Sequence, residues 1–207
     1  MNALPRRATR SRISAASLLV WASYVFLVIG ILAIGYAGYV LASARAYQAI
    51  ETARLERIVV PQPEVRREVS PVAVGSVLGQ LEIPRIKLSV IVVQGDSSKL
   101  LRRAVGHLPA TALPGEPGNV ALAGHRDTFF RPLRHIQPGD DITLRTQEGD
   151  FHYRVDSTRV VPPTATEVLR SSGVPELTLI TCFPFNYIGA APDRFIVRAK
   201  EVDSPAN

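Results

Sequence analysis

Residues 18–41 form an apolar stretch that no charged side chain interrupts. A helix needs about 20 such residues to cross the hydrocarbon core of a bilayer, so this stretch predicts a transmembrane helix. Aromatic side chains, which favour the membrane interface, lie near both of its ends: Trp21, Tyr24, Tyr36 and Tyr39. Residues 42–44 (Ala-Ser-Ala) have the form of a signal-peptide cleavage site, but the apolar core of a signal peptide is only about 7–15 residues long. We therefore expect an uncleaved membrane anchor.

The positive charge of the chain is concentrated ahead of this stretch. The formal net charge is +6, and four of those charges belong to one short arm: Arg6, Arg7, Arg10 and Arg12. Because basic residues next to a membrane span stay on the cytoplasmic side, we predict a cytoplasmic arm over 1–17, an anchor over 18–41 and an extracytoplasmic remainder. The +2 that is left for that remainder gives no argument for binding nucleic acid.

Residues 42–75 have the composition of a stalk. Helix-forming and charged residues fill 44–58, and Pro61, Pro63 and Pro71 then interrupt any regular element. We predict a juxtamembrane linker here, which spaces a folded domain over 76–203 from the membrane and leaves a tail at 204–207. The alternative, that part of the linker packs on the domain, stays open.

The folded domain has the pattern of many short strands separated by turns that contain glycine and proline. The β-prone runs lie at 79–83, 86–93, 119–123, 140–146, 151–161, 177–181 and 194–202. Short helices are expected at 97–105 and 165–171. Strands at this spacing are typical of an all-β sandwich or barrel, and we predict an all-β fold, a small β-barrel.

Two of these strands carry the side chains best suited to chemistry. The run at 177–181 ends at Cys182, the single cysteine of the chain, and after a loop rich in glycine and proline the next run begins at Arg194. A hairpin-like unit of this kind can bring the thiol and the guanidinium face to face. A thiol needs a base or a cation to become a nucleophilic thiolate. A candidate base is His125, which lies two residues after the apolar run at 119–123.

These motifs together resemble the sortases, which are membrane-anchored cysteine transpeptidases. The matching pieces are Thr178-Leu-Ile-Thr-Cys182, Arg194 twelve residues later, and Ala123-Gly-His125 upstream. The sequences of residues 112–119 and 125–133 are most similar to those of the class D branch. The resemblance extends from about residue 79 to 202, and the predicted membrane anchor agrees with it.

The resemblance implies a closed β-barrel of the sortase type and a role for each of the three residues. Cys182 would attack the threonine carbonyl of an LPxT-like sorting signal and form a thioester. His125 would protonate the leaving amine and deprotonate the incoming one. Arg194, whose guanidinium stays protonated, would donate hydrogen bonds to the substrate carbonyl or its oxyanion. The implied partners are proteins with a C-terminal LPxT-like signal and an amine acceptor, either a cell-wall peptide or a pilin lysine.

Two other functions stay open at this point. A thiol protease would pass the same thioester to water, and a membrane-tethered barrel would bind a peptide strand without turning it over. Transfer and hydrolysis share their first step and the same three residues, so the sequence does not separate them. The loop at 161–174 is expected to shape substrate choice, since loops on rigid β scaffolds carry specificity.

The remaining polar residues carry no cofactor prediction. A single cysteine excludes an intrachain disulfide and a thiolate zinc cluster. The acidic residues near 140–150 lack the spacing of a calcium-binding EF-hand loop, so no metal is predicted. We expect a structural role for Asp127, as a turn cap or a partner of a neighbour, and a packing role for His107.

Overall fold

The computed structural model describes residues 15–58 and 72–203. The basic arm up to residue 14, the proline-rich segment at 59–71 and the tail at 204–207 lie outside the described residues, and so do the predictions made for them. The chain divides into two compact units, Met1–Ser43 and Ala44–Asn207.

The first unit contains most of the predicted anchor. Helix α1 (Ala15–Ile58) begins in this unit and continues past its boundary into the second unit. Its stretch Ser23–Leu55 has a mean hydropathy of 2.3 over its most apolar window, none of which is buried. By length and composition this helix is able to cross a membrane. The predicted N-terminal apolar helix is therefore present.

Eight strands of the second unit close into a barrel, which confirms the predicted fold. They are β1 (Val77–Ile83), β2 (Leu88–Gln94), β3 (Val105–His107), β4 (Asn119–Ala123), β5 (Asp141–Thr146), β6 (Asp150–Val161), β7 (Glu176–Phe183) and β8 (Asp193–Glu201). Around the barrel they follow the order β1-β2-β3-β4-β7-β8-β6-β5, and β5 pairs with β1. The pairs β2–β3 and β4–β7 are parallel, whereas the other six are antiparallel.

The inside of the barrel is filled by every second residue of the strands. On β7 and β8 the inward positions include Leu177, Leu179, Val197 and Ala199, all at most 1% exposed. Because side chains alternate across a strand, the residues between them face outward. Each fully buried valine or leucine side chain stabilises the fold by about 1.5–3 kcal/mol. This core holds β7 and β8 in one register.

The structure differs from the sequence prediction in two places between β2 and β4. Helix α2 (Ser98–Leu101) is shorter than the predicted helix at 97–105, and β3 follows where no strand was predicted. Val105 leaves the helix because it pairs in parallel with Val92 of β2. At Gly106 an added Cβ would lie 2.3 Å from the Gly95 carbonyl oxygen, so this rung requires glycine. The second predicted helix is a 3-10 turn at Thr166–Leu169.

The C-terminal part of α1 packs on the outside of this barrel. Tyr47 and Leu55 contact a small apolar cluster that contains Ile91. The Gln48 amide accepts a hydrogen bond from the Ile91 N–H and donates one to the Arg103 carbonyl, both at 2.7 Å. Backbone pairing of β2 with β3 begins at Val92 and Val105, so the Gln48 side chain bridges the two segments just before their ladder starts. Part of the segment for which a linker is predicted therefore packs on the barrel.

We expect Gln48→Met to lower the free energy of unfolding by about 1–2 kcal/mol, because it leaves a backbone donor and a backbone acceptor without their partner. Chemical denaturation of the full chain in detergent micelles measures the change. The matched control is Arg45→Gln, on an exposed position of the same helix, for which we expect less than about 0.5 kcal/mol. Equal effects of the two substitutions would contradict a specific docking role for Gln48.

Candidate active site

The three predicted site residues lie where the ends of β4, β7 and β8 meet. Cys182, near the end of β7, lies directly opposite Arg194, near the start of β8, in the antiparallel ladder. The thiol is free and half-buried. Because Leu179 and Val197 point into the barrel, the alternation of the strands turns Cys182 and Arg194 to the outer face. The hairpin predicted from the sequence thus brings these two residues together.

His125 reaches the same place from β4. This strand runs parallel to β7, so both strands end on the same side of the barrel. The Gly124 N–H donates to the Ile180 carbonyl (3.1 Å), and the Thr181 hydroxyl donates to the Gly124 carbonyl (2.8 Å). These two bonds join Gly124, the residue before His125, to Ile180 and Thr181, the two residues before Cys182. The imidazole itself is exposed to solvent.

The turn after His125 has a compact form that its sequence explains. The His125 carbonyl accepts from the N–H of Phe130 (3.1 Å) and, more weakly, from that of Thr128 (3.4 Å). The Phe130 ring is fully buried against Gly124, where an added Cβ would lie 2.7 Å from the ring. Glycine is therefore needed before the histidine, and the aromatic ring beneath it fixes the path of the turn.

The Arg194 side chain forms hydrogen bonds with the loop that precedes β8. Its Nη1 donates to the carbonyls of Asp193 (2.9 Å) and Ala191 (3.3 Å). Its Nε and Nη2 form no hydrogen bond with any residue in the described ranges 15–58 and 72–203. The guanidinium is thus oriented by backbone carbonyls at one edge and has further N–H donors beside Cys182.

Three phenylalanines support the hairpin from the inner side. The rings of Phe183 and Phe195 are stacked with their centres 6.3 Å apart, and Phe185 packs edge-on against both, at 6.0 and 5.2 Å. Such pairs contribute about 0.5–1.5 kcal/mol each beyond the area they bury. Because Phe183 follows Cys182 and Phe195 follows Arg194, this cluster fixes the strand ends that carry both side chains.

A second guanidinium, for which no function is predicted from the sequence, lies in the same region. Arg126 follows His125 and its side chain is only 6% exposed. Its Nε and Nη2 donate to the two carboxylate oxygens of Asp127 (3.0 and 2.9 Å), and its Nη1 donates to the Pro184 carbonyl (2.8 Å). The Asp127 carboxylate raises the pKa of Arg126, and the charge of Cys182 adds to this. The sequence does not predict the bond to Pro184, because Pro184 lies on another segment.

Asp127 is the partner of a neighbour, one of the two structural roles expected for it. Its pKa is lowered chiefly by the hydrogen bonds from Arg126, and to a lesser degree by the charges of Arg131 and His125. The carboxylate is 63% exposed, so it meets solvent on one side and Arg126 on the other. It therefore stays ionised and keeps Arg126 oriented.

The loop between β6 and β7 leaves β6 at Val161, which pairs with Arg194, and is fastened farther along the sheet. Arg198 of β8 donates to the Glu176 carboxylate and to the Val168 carbonyl, both at 3.0 Å. The Asn119 amide donates to the same carbonyl (3.2 Å), and Val168 is buried. The loop is thus tied to the outer side of the sheet that carries Cys182 and Arg194.

The other polar residues considered in the sequence have structural surroundings. His107 is fully buried, with one ring nitrogen 2.7 Å from the Gln94 side-chain oxygen and the other 2.8 Å from the Ala112 carbonyl. Burial lowers the pKa of His107. Asp140 is paired with Arg85. Among the described residues no three histidine, cysteine or acidic side chains are grouped so that they could hold a metal ion.

The comparisons with known proteins agree on one family. The family model described as "Sortase domain" matches residues 81–202. Sortase D of Bacillus subtilis (strain 168) is 37% identical over 129 residues, which cover 62% of this chain and 65% of that protein. The structure of a Clostridium perfringens sortase D5 transpeptidase superposes with a TM-score of 0.66 at 26% identity, over 78% of this chain and 99% of that one. Sortase C1 of Streptococcus agalactiae is 31% identical with a TM-score of 0.57, over 61% and 67% of the two chains.

Proposed function

This chain belongs to the sortase family, and we propose that it is a cysteine transpeptidase that joins proteins bearing an LPxT-like sorting signal to an amine acceptor. The observation that carries the proposal is the meeting of three strand ends, which gathers Cys182, Arg194 and His125 on one outer face of the barrel. A thiol, a permanent cation and a titratable imidazole are the groups that acyl transfer through a thioester requires.

In the first half of the reaction the Cys182 thiolate attacks the threonine carbonyl of the sorting signal. The carbonyl oxygen becomes an oxyanion, and the free N–H donors of Arg194 are the groups that stabilise it. When the tetrahedral intermediate collapses, the bond to the following residue breaks. His125, in its imidazolium form, gives the proton that the leaving amine needs. The products are a thioester on Cys182 and the released C-terminal fragment.

In the second half the acceptor amine attacks the thioester. His125, now neutral, removes a proton from the amine, and Cys182 leaves as a thiolate once the new amide bond has formed. Both proton transfers need an imidazole that exchanges with solvent or substrate, and His125 is exposed. The site thus returns to its starting protonation state after each turnover.

The surroundings of the site support an extended peptide as substrate. The outer face that carries Cys182 and Arg194 is bordered at Arg194 by the start of the loop between β6 and β7, because Val161 pairs with Arg194. Arg198 and Asn119 hold this loop farther along, at Val168. A peptide that lies along this face would contact the loop, so the loop is where we assign preference among sorting signals. The acceptor would be an amine of a cell-wall peptide or a pilin lysine.

The apolar helix fits a membrane-anchored enzyme. Basic residues precede it and the barrel follows it, so we assign the N-terminus to the cytoplasm and the barrel to the outer side of the membrane. An enzyme held there meets secreted proteins as they leave the membrane. The role that follows is the anchoring or joining of surface proteins.

Intact-protein mass spectrometry on the full chain in detergent micelles tests this function. The chain is incubated with LPxTG and LPxTA peptides, first alone and then with triglycine as acceptor. We expect a covalent adduct equal in mass to the peptide up to its threonine, and its conversion to the joined product when triglycine is added. Release of free acid with no joined product would assign a hydrolase instead. Binding without adduct or cleavage across the panel would assign a peptide-binding module.

A further inference from the structure

We propose that Arg126 is a positioning residue for this reaction, which ties the segment that carries His125 to the segment that follows Cys182. The inference rests on the proposed roles of Cys182 and His125. It adds a second cation to a site in which Arg194 was the one expected from the sequence.

The first argument is the connection that Arg126 makes. Its Nη1 donates to the Pro184 carbonyl at 2.8 Å, across 58 residues of sequence. Pro184 lies two residues after Cys182, and Arg126 lies one residue after His125. The bond therefore joins the two catalytic segments on the loop side, while the bond from Thr181 to Gly124 joins them on the strand side. Two connections, one on each side, fix the thiol and imidazole segments relative to each other better than one does.

The second argument is the environment of the guanidinium. An arginine side chain that is 6% exposed has lost most of its water, and this costs free energy unless hydrogen bonds replace it. Asp127 accepts from Nε and Nη2, so the remaining edge of the fork points to the Pro184 carbonyl. Side chain and carboxylate form a rigid pair, in which Asp127 sets the orientation and Arg126 makes the long-range contact.

Alkylation of Cys182 by iodoacetamide tests the connection without any peptide substrate. The rate is followed by intact-protein mass at pH 7. In Arg126→Gln and in Arg126→Lys we expect it to rise about threefold, because the segment after Cys182 loses its bond to the His125 segment and the half-buried thiol becomes easier to reach.

Peptide turnover tests the connection. In Arg126→Lys we expect kcat to fall about tenfold with KM within about twofold, because a lysine ammonium does not reproduce the fork between Asp127 and Pro184. Asp127→Asn should also lower kcat, because an amide no longer accepts from both Nε and Nη2 and the guanidinium is less well oriented. A merely structural role would lower thermal stability and leave the alkylation rate of Cys182 in place.

Arg85→Gln is the matched control. Arg85 also bonds a carboxylate, that of Asp140, and a backbone carbonyl, that of His135, but neither partner lies in the segments of His125 and Cys182. We expect a loss of thermal stability with an unchanged alkylation rate and an unchanged kcat. The proposal is overturned if Arg126→Gln leaves the alkylation rate and kcat unchanged, or if Arg85→Gln changes them as far. Should Arg126→Gln fail to fold, a kcat and an alkylation rate of Arg126→Lys both equal to those of the parent would overturn it. If the parent chain never acylates a peptide, the proposed function fails, yet the alkylation rates still decide whether Arg126 holds the segment after Cys182.

Discussion

Cys182→Ala is expected to abolish both thioester formation and peptide joining while leaving the barrel folded. The chain contains no second cysteine, so no other thiol is able to take over the attack. Removal of a catalytic nucleophile costs about 10⁴-fold or more in rate, and the residual cleavage should match that of the peptide alone. The measurement is intact-protein mass spectrometry together with chromatography of the peptide products.

The fold should tolerate this change because the side chain lies on the outer face, half-buried, and not in the core. Alanine removes one sulfur atom at that position, and surface changes of this kind usually stay within about 0.5 kcal/mol. Binding of a fluorescent LPxT peptide should therefore persist in Cys182→Ala, which separates recognition from chemistry. Turnover by this variant at the parent rate would refute the assignment of the nucleophile.

Most strands of the barrel could be predicted from the sequence because their signals are local. The apolar run at 119–123 coincides with β4, and turns with glycine and proline mark most of the other boundaries. β3 gives no such signal: it has three residues, one of them Gly106, and it is a strand because β2 and β4 lie on either side of it. A pairing of this kind depends on distant segments, and local propensity does not contain it.

The candidate site shows the same division. The position of Cys182, Arg194 and His125 at neighbouring strand ends could be predicted because each lies at or next to the end of a β-prone run, whereas their catalytic roles stay a proposal. The connection made by Arg126 could not be predicted, because it depends on a long-range hydrogen bond to the Pro184 carbonyl. The docking of α1 is hard to predict for a similar reason, since a glutamine on a helix has no local feature that predicts a bond to β2. Strand ends are thus easier to predict than the side chains that connect them.

Arg194→Ala is expected to lower kcat/KM by about 10²–10³-fold, the usual loss when a donor to an oxyanion is removed. In the structure one edge of this guanidinium is held by the carbonyls of Asp193 and Ala191, so the fork is already oriented before a peptide arrives. Interactions that grow as the oxyanion forms act on kcat more than on KM. We therefore expect the loss to lie mainly in kcat, measured by steady-state cleavage of a fluorogenic LPxT peptide.

Arg194→Lys separates charge from geometry at this position. Lysine keeps the positive charge, but its ammonium cannot bond the loop carbonyls and the oxyanion at the same time in the planar arrangement of a guanidinium. We expect the kcat/KM of Arg194→Lys to exceed that of Arg194→Ala by less than about tenfold. The matched control is Arg154→Ala, an exposed arginine of β6 that pairs with Asp141, for which kcat/KM should stay within about twofold. If Arg194→Lys restored full activity, a positive charge alone would suffice opposite Cys182, and the hydrogen-bonding role of Arg194 would be wrong.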